Sequence, residues 1–401
     1  MELHITTQVL LWAFAIAFII GAVANKTNFC TMGAISDWVN LGDTGRIRAW
    51  SLAIIVALIG VVLLEATAAV SVSESLPPYR SASFSWLRHI VGGIIFGIGM
   101  VYTSGCGNKC LVRIGGGNIK SIFVVLVAGY FAYLMTKTAF YETLFYPWVT
   151  ATTIDLAQYG MPSQDLGGIF SGIFGGEAEN LRTIIGGLIA VIALAFIFKS
   201  EDFRKSPDNI ISGLTIGCAV VAAWYLTGGP MGNTWKETAE FMDVVPVGVA
   251  TQSYTFINPM GDTLYYALTP FDTSLISFGV AAFFGVIAGS FIYSIVFRKF
   301  RIEWFANVRD FISHMIGAVM IGTGGVLAMG CTIGQGVTGV STLALGSFIT
   351  LVAIVFGAAI TMKIQYYMAV YEDEASFVKA LLSSLVDMKL LPASMRKLDA
   401  V

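Results

Sequence analysis

The sequence predicts an all-α integral membrane protein with about nine transmembrane segments, inverted repeats and short broken helices. Of its 401 residues, 56% are hydrophobic and only 12% are charged, whereas soluble domains carry about 25% charged residues. Several apolar runs approach or exceed the roughly 18 residues that a membrane span needs. A glycine-rich segment also occurs twice, at 89–106 and 314–331, and each copy ends in Gly-Cys. Duplication of this kind is typical of membrane proteins built from repeated halves.

Nine apolar segments are predicted to span the membrane. They cover residues 8–24, 49–71, 90–106, 119–137, 183–199, 210–227, 274–297, 314–331 and 341–363. Lys and Arg are concentrated in the connections 200–209 and 298–313, which are therefore expected in the cytoplasm. The acidic connections 138–182 and 228–273 are expected outside. This arrangement places the N-terminus outside and the C-terminus inside, and it makes the two copies of the duplicated segment antiparallel.

The long connections also suggest how the chain is divided. Residues 1–140 are predicted to form a first membrane repeat, and residues 183–365 a second one that contains the external connection 228–273. Residues 141–182 form the external connection between them. Residues 366–401 are predicted to form a cytoplasmic amphipathic tail, because a charged stretch there is followed by regularly spaced leucines. A cleavable signal peptide is not expected, since the first apolar run has no basic flank.

The composition excludes several classes of function. A net charge of −2 without any basic run gives no reason to expect a nucleic-acid partner. The five cysteines are widely spaced in apolar segments, which fits neither a disulfide framework nor a zinc site. The three histidines are too scattered to build a metal site, and no phosphate-binding loop is present. We therefore expect a protein that is not an enzyme, needs no cofactor and has the lipid bilayer as its surroundings.

Each copy of the duplicated segment is expected to end as a helix within the membrane. Gly-Cys at 105–106 runs into Gly107-Asn108-Lys109, and Gly-Cys at 330–331 runs into Thr332-Ile333-Gly334-Gln335. Unwound backbone at this depth is tolerated only where it is buried in protein or lines a cavity. The two breaks therefore predict a functional site near the centre of the membrane.

A third polar break surrounds Cys30. Asn28 is a candidate cap for a short helix that begins near Cys30. Lys109 and Arg113 lie four residues apart and would share one face of a helix. Two cations at this depth are costly unless they face a polar interior or an anion. The alternative is that their long side chains reach the cytoplasmic surface.

The other two cysteines are weaker candidates. Cys218 lies in a plain apolar helix and is expected to pack as a small hydrophobic residue. Cys110 follows Cys106 by one helical turn but has no counterpart in the second copy, so its role stays open.

These motifs resemble the YeeE/YedE family of bacterial sulfur-compound transporters. The resemblance rests on Asn28-Phe29-Cys30, on Gly105-Cys106 with Arg113 seven residues later, and on Gly330-Cys331-Thr332-Ile333-Gly334-Gln335-Gly336. It implies uptake of thiosulfate through the bacterial inner membrane, along a constricted path lined by three cysteines that match Cys30, Cys106 and Cys331. It also implies a small cytoplasmic sulfur carrier of the TusA type as a partner. Lys26, Cys110 and the long external connections depart from the family pattern.

We therefore predict an inner-membrane transporter for a sulfur anion. A neutral thiol is a weak hydrogen-bond donor, and weak successive contacts let an ion enter and leave. The predicted substrate-binding residues are Cys30, Cys106, Cys331, Lys26, Asn28, Lys109, Arg113, Thr332 and Gln335. Two alternatives stay open: a membrane thiol oxidoreductase that uses Cys106 and Cys110, and a channel for another small anion.

Overall fold

Long apolar helices make up most of the protein. The computed structural model describes residues 4–269 and 272–399. Within these residues, nine helical stretches are long and apolar enough to cross a membrane, which confirms the predicted all-α class. They are Ile5–Leu41, Gly45–Ala66, Trp86–Gly115, Ile119–Lys137, Ala178–Phe198, Pro207–Gly228, Phe278–Val296, Val308–Gly339 and Leu345–Val370.

Shorter helices connect and interrupt these stretches. In chain order the α-helices are α1 (Ile5–Lys26), α2 (Thr31–Ser36), α3 (Gly45–Ala66), α4 (Trp86–Tyr102), α5 (Gly107–Gly115), α6 (Ile119–Lys137), α7 (Phe140–Leu144), α8 (Tyr146–Ala151), α9 (Leu166–Phe174), α10 (Ala178–Phe198), α11 (Glu201–Arg204), α12 (Pro207–Gly228), α13 (Pro230–Glu240), α14 (Ile257–Leu268), α15 (Phe278–Val296), α16 (Val308–Leu327), α17 (Leu345–Val370) and α18 (Phe377–Asp387). Asp37–Leu41 and Thr332–Gly339 are π-helical. Four short 3₁₀ turns complete the helical structure at Leu156–Tyr159, Thr273–Leu275, Glu372–Glu374 and Ala393–Met395.

The duplicated segments form the helices α4 and α16, which cross at the centre of the bundle. A Cβ at Gly99 would lie 2.7 Å from the Gly317 carbonyl oxygen, and one at Gly92 would lie 2.9 Å from that of Gly324. The lower-numbered glycine of one helix thus meets the higher-numbered glycine of the other, so the helices are antiparallel, as predicted. Because Gly92 is equivalent to Gly317 and Gly99 to Gly324 in the repeat, the two contacts are related by a pseudo-two-fold axis.

The same symmetry extends to the neighbouring helices. Gly97 of α4 packs against the backbone of Ile354 in α17, and its counterpart Gly322 of α16 packs against the backbone of Ala128 in α6. Small residues permit this close approach between helices in a membrane. These contacts join α4, α6, α16 and α17 into a four-helix unit, and α1, α3, α12 and α15 pack against one another in a second group.

The connections gather at two ends of the bundle. We call the end that carries 138–177 and 229–277 the acidic-loop face, and the end that carries 199–206 and 297–307 the basic-loop face. Two short sheets tie loops together at the acidic-loop face: β1 (Ser75–Leu76) pairs in parallel with β4 (Thr251–Gln252), and β2 (Ser83–Ser85) pairs antiparallel with β3 (Thr153–Asp155).

The acidic connections are more structured than the sequence indicates. They contain the helices α7, α8, α9, α13 and α14. Of these, α14 packs against α6, and Gly325 of α16 packs against Ile257 at its start. α14 is too short and too polar for its sequence to indicate a membrane span. Its burial depends on contacts with parts of the protein that are distant in the chain.

The C-terminal tail folds back on the bundle. α17 continues to Val370, beyond the predicted end at 363, and α18 then packs against it. The Asp387 carboxylate joins three parts of this region, because it accepts hydrogen bonds from Tyr367 (2.9 Å), Lys363 (3.3 Å) and Arg396 (2.6 Å).

Candidate functional site

Three breaks in the long helices share one backbone design. Two residues after the end of each preceding helix comes a residue with positive φ: Asn28 (53°), Ser104 (56°) and Met329 (62°). The amide of the following residue then bonds back five positions, from Phe29 to Ala24 (3.1 Å), from Gly105 to Met100 (3.0 Å) and from Gly330 to Gly325 (2.8 Å). This is the Schellman ending, which satisfies carbonyl groups at a helix C-terminus. In all three breaks a cysteine comes two residues after the left-handed position.

Each of these cysteines is the N-cap of the helix that follows. Cys30 begins α2, Cys106 begins α5, and Cys331 begins the π-helix Thr332–Gly339. The Sγ atoms of Cys30 and Cys331 accept hydrogen bonds, each 3.4 Å long, from the amides of Gly33 and Gly334. Cys106 makes no such bond. Ser, Thr, Asp and Asn are the usual caps, so thiols at three N-caps require an explanation other than helix stability.

The helix ends confirm the predicted breaks and correct one detail. α4 ends at Tyr102 and α16 at Leu327, a few residues before the Gly-Cys pairs. Asn28, which the sequence offered as a helix cap, is instead the left-handed residue that ends α1. Its side chain accepts a hydrogen bond of 2.5 Å from Lys109 Nζ. The cap is Cys30 itself.

The three cysteines come together at the centre of the bundle. Cys106 interacts electrostatically with both Cys30 and Cys331. All three are free and buried, with exposures of 7% for Cys30, 3% for Cys106 and 0% for Cys331. Cys30 is thus the most exposed of the three thiols and Cys331 the least.

The predicted cations take up different positions on the side of the basic-loop face. Lys109 is 9% exposed and interacts with Cys30 and Cys106 as well as with Arg113. Arg113 is half-buried, and its guanidinium has no hydrogen bond or ion pair within the described residues. Lys26 lies at the surface, where its ammonium is 3.8 Å from the Asp208 carboxylate. Lys109 and Arg113 thus lie beside the thiols, and Lys26 lies at the rim.

The π-helix after Cys331 contains the last two predicted residues. Thr332 is fully buried, its hydroxyl has no hydrogen-bond partner, and it lies beside the Cys106 thiol. Gln335 donates to the Ala328 carbonyl at 2.7 Å and accepts from Ser347 at 2.6 Å. Both polar atoms of Gln335 are therefore already bonded and hold the break in shape, whereas the Thr332 hydroxyl faces the Cys106 thiol.

A vestibule opens from the acidic-loop face toward Cys331. It is a cavity of about 430 Å³, and its lining includes Arg88, Lys137, Thr255 and Met329. Arg88 donates to the carbonyls of Leu327 (2.7 Å) and Val326 (3.3 Å) at the end of α16. Lys137 is paired at 3.2 Å with Asp262. Arg88 was not among the predicted site residues, although its position just before the first duplicated segment was a signal that could have found it.

The remaining cysteines and histidines lie apart from this arrangement, lie next to it or are otherwise occupied. Cys218 is exposed on α12, as expected for a residue outside the site. Cys110 is a buried free thiol within α5 and interacts electrostatically with Cys30, Lys109 and Arg113, so it lies next to the site. His89 is bonded to Thr350 at 2.8 Å, and His314 to the Asp310 carbonyl at 2.8 Å. Within the described residues, no group of three or more His, Cys, Asp or Glu side chains is placed to hold a metal.

Known proteins share this pattern over most of the chain. A family model described as sulphur transport matches residues 26–360. The thiosulfate transporter TsuA of Escherichia coli K12 is 24% identical over 366 residues, which cover 84% of this chain and 90% of that protein. TsuA of Spirochaeta thermophila is 22% identical over 368 residues, covering 85% and 94%. These matches confirm the resemblance seen in the cysteine motifs: the chain belongs to the sulphur transport family, the YeeE/YedE proteins.

Proposed function

We propose that this protein takes up a sulfur oxyanion, with thiosulfate as the first candidate, by passing it along Cys331, Cys106 and Cys30. One observation carries the proposal: three helix breaks of the same design place three free thiols together at the centre of the bundle. The two relatives named as thiosulfate transporters support the choice of anion.

The chemistry of the constriction suits a weakly held anion. A neutral S–H donates a hydrogen bond but brings no charge into the membrane interior. The positive end of each following helix adds a favourable field for an anion. A fixed cation in direct contact would hold the ion too firmly for release. Thr332 supplies one more neutral donor beside Cys106, since its hydroxyl has no other partner.

Cations at both ends of the path raise the local concentration of the anion. Arg88 lines the vestibule at the acidic-loop face. Lys109 and Arg113 lie beside the thiols on the side of the basic-loop face, and Lys26 lies at the protein surface on that side. Asn28 holds the Lys109 ammonium by its 2.5 Å hydrogen bond. An anion thus meets Arg88 at one end of the path, neutral donors at Cys331 and Thr332, and then the Lys109 ammonium beside Cys106 and Cys30.

The orientation follows from the distribution of charge. We assign the acidic-loop face to the outside of a bacterial inner membrane and the basic-loop face to the cytoplasm, because cytoplasmic loops carry an excess of Lys and Arg. The N-terminus is then outside and the C-terminus inside. Residues 1–140 and 183–365 form the two repeats in this scheme, and a TusA-like sulfur carrier would collect the anion beside Cys30, the most exposed of the three thiols.

Uptake of labelled thiosulfate into proteoliposomes tests the proposal. Cys331→Ala is expected to abolish uptake, whereas Cys218→Ala, the matched control on an exposed helix face, is expected to transport like the wild type. Purification and thermal unfolding verify that both variants are folded. Wild-type uptake by Cys331→Ala would contradict the proposal.

The same preparation separates the transporter from a thiol oxidoreductase. A transporter keeps Cys106 and Cys110 as free thiols in every turnover, so thiol titration before and after uptake is expected to give the same count. Loss of two thiols in proportion to the substrate consumed would favour the oxidoreductase.

A further inference from the structure

A second cavity lies beside the vestibule on the acidic-loop face. Its volume is about 360 Å³, and it shares Pro78, Arg88 and Met329 with the vestibule. The two spaces therefore have a common wall. The far wall comes from β3, α7 and α8 in the long connection after α6, through residues that include Tyr146 and Thr150. This long connection is one of the departures from the family pattern.

The charge of the second cavity is positive. Arg88 lines it, and none of its lining residues is an aspartate or a glutamate. Two of the three guanidinium nitrogens of Arg88 are held by the carbonyls of Leu327 and Val326. Nη1 has no hydrogen-bond partner within the described residues. The guanidinium also lies over the ring of Tyr141, with its carbon 5.8 Å from the centroid. Arg88 is thus fixed in position while one donor group stays unused.

The rest of the lining supplies neutral polar groups. It includes the hydroxyl residues Ser81, Ser83, Ser85, Tyr146, Thr150 and Thr153. Gln164 also lines the cavity, is only 3% exposed, and has an amide oxygen without any hydrogen-bond partner. Buried amide groups are nearly always bonded, and an amide oxygen only accepts hydrogen bonds, so this oxygen indicates a place for a water that hydrates the guest and not a direct contact with an anion. Hydroxyl groups around one arginine match a small tetrahedral oxyanion and its waters.

We propose that this lateral cavity is a second anion site, which holds one sulfur oxyanion beside the vestibule before the ion enters the constriction. The inference rests on the proposed function for the identity of the anion. Arg88 lines both cavities. An ion can therefore move from the lateral cavity into the vestibule while it stays in contact with the Arg88 guanidinium. The cavity therefore acts as a store that keeps the vestibule supplied when the external concentration is low.

Filling the cavity tests this role. Thr150→Trp places a large side chain in the lateral cavity, and Thr143→Trp, on an exposed position of the same connection that does not line it, is the matched control. The readouts are calorimetric binding of thiosulfate to the purified full chain and the KM for uptake. We expect Thr150→Trp to lose one bound thiosulfate and to raise KM roughly tenfold, which corresponds to about 1.4 kcal/mol, while kcat stays unchanged.

A charge variant gives an independent readout. Arg88→Gln is expected to raise KM by about 10- to 100-fold, because it removes a charge-assisted donor from both cavities. Lys137→Gln changes KM less, since Asp262 already pairs with that lysine. Repeating the calorimetry with sulfate shows whether the lateral site accepts any tetrahedral oxyanion or only the transported one.

The possible outcomes separate this inference from the function on which it rests. If Thr150→Trp binds and transports thiosulfate like Thr143→Trp, the lateral site is overturned, while transport that depends on Cys331 still supports the proposed function. If the wild type transports no thiosulfate but Thr150→Trp loses a bound anion, the lateral site stands and the transport proposal fails.

Discussion

The hydrogen bond between Lys109 and Asn28 joins two of the three helix breaks, and its removal should be measurable. Lys109 Nζ lies 2.5 Å from Asn28 Oδ1, and the lysine is only 9% exposed. A hydrogen bond to a charged group contributes about 1.5–3 kcal/mol. The bond is expected to position the ammonium beside Cys30 and Cys106, so its loss should reduce both stability and uptake.

The choice of substitution matters because Asn28 has a φ of 53°. Asn28→Ala would combine the lost bond with a left-handed alanine, which costs about 1–2 kcal/mol more. Asn28→Gly removes the bond but tolerates that backbone. We therefore expect Asn28→Gly to lower the free energy of unfolding by about 1.5–3 kcal/mol, and Asn28→Ala to lower it further.

A double-mutant cycle isolates the bond itself. Asn28→Gly, Lys109→Met and the double variant are unfolded in mixed detergent micelles, and the coupling energy is taken from the four free energies. We expect a coupling of at least about 1 kcal/mol and a loss of uptake in both single variants. A coupling near zero, or Asn28→Gly with wild-type stability and uptake, would refute the reasoning.

Three further predictions concern the scaffold. Tyr79→Phe removes a hydrogen bond of 2.7 Å to the Gly334 carbonyl in the π-helix. We therefore expect the free energy of unfolding to fall by about 1 kcal/mol and uptake to become slower. An unchanged uptake rate would show that this hydrogen bond does not hold the π-helix in its transporting shape. Gly99→Ala should destabilise the α4–α16 crossing, because the new Cβ would lie 2.7 Å from a carbonyl oxygen. The control Gly187→Ala should not, because no atom of the described residues lies within 4 Å of its new Cβ. Equal melting temperatures of the two variants would contradict this prediction. Burial opposes ionisation of Asp165, but hydrogen bonds from Arg182 and Ser163 and the nearby charges of Arg80 and Arg182 together outweigh that effect and hold the pKa of Asp165 below the ordinary 3.8. The contribution of ionised Asp165 to stability is thus complete at neutral pH and is lost as the pH falls through the lowered pKa. We expect the connection that contains Asp165 to be cleaved faster by a protease as the pH falls through that range.

The sequence predicted much of the bundle because membrane insertion leaves strong local signals. Apolar length identified the nine spans, and the charge of the loops gave the antiparallel order of the duplicated segments that the Gly99–Gly317 contact confirms. Gly-Cys strings also indicated where the helices break. These features depend on neighbouring residues in the chain, so they can be read from it directly.

The parts that escaped prediction depend on distant contacts. α14 packs against helices more than 100 residues earlier in the chain, and its short apolar run carries no signal of that burial. Arg88 belongs to the vestibule only because α4 crosses the end of α16. Gln335 was predicted to bind the substrate, and nothing in the sequence indicates the hydrogen bonds that its amide makes with Ala328 and Ser347. Side-chain pairing between remote helices decides each of these cases.

The position of a bound anion tests the central claim most directly. Selenosulfate, an analogue of thiosulfate with one selenium atom, can be located in a structure of the full chain by its anomalous scattering. We predict a selenium peak in contact with the Sγ atom of Cys106, between Cys331 and Cys30, and its loss in Cys106→Ala. A peak confined to the external cavities, in a preparation that transports the analogue, would contradict passage along the three thiols.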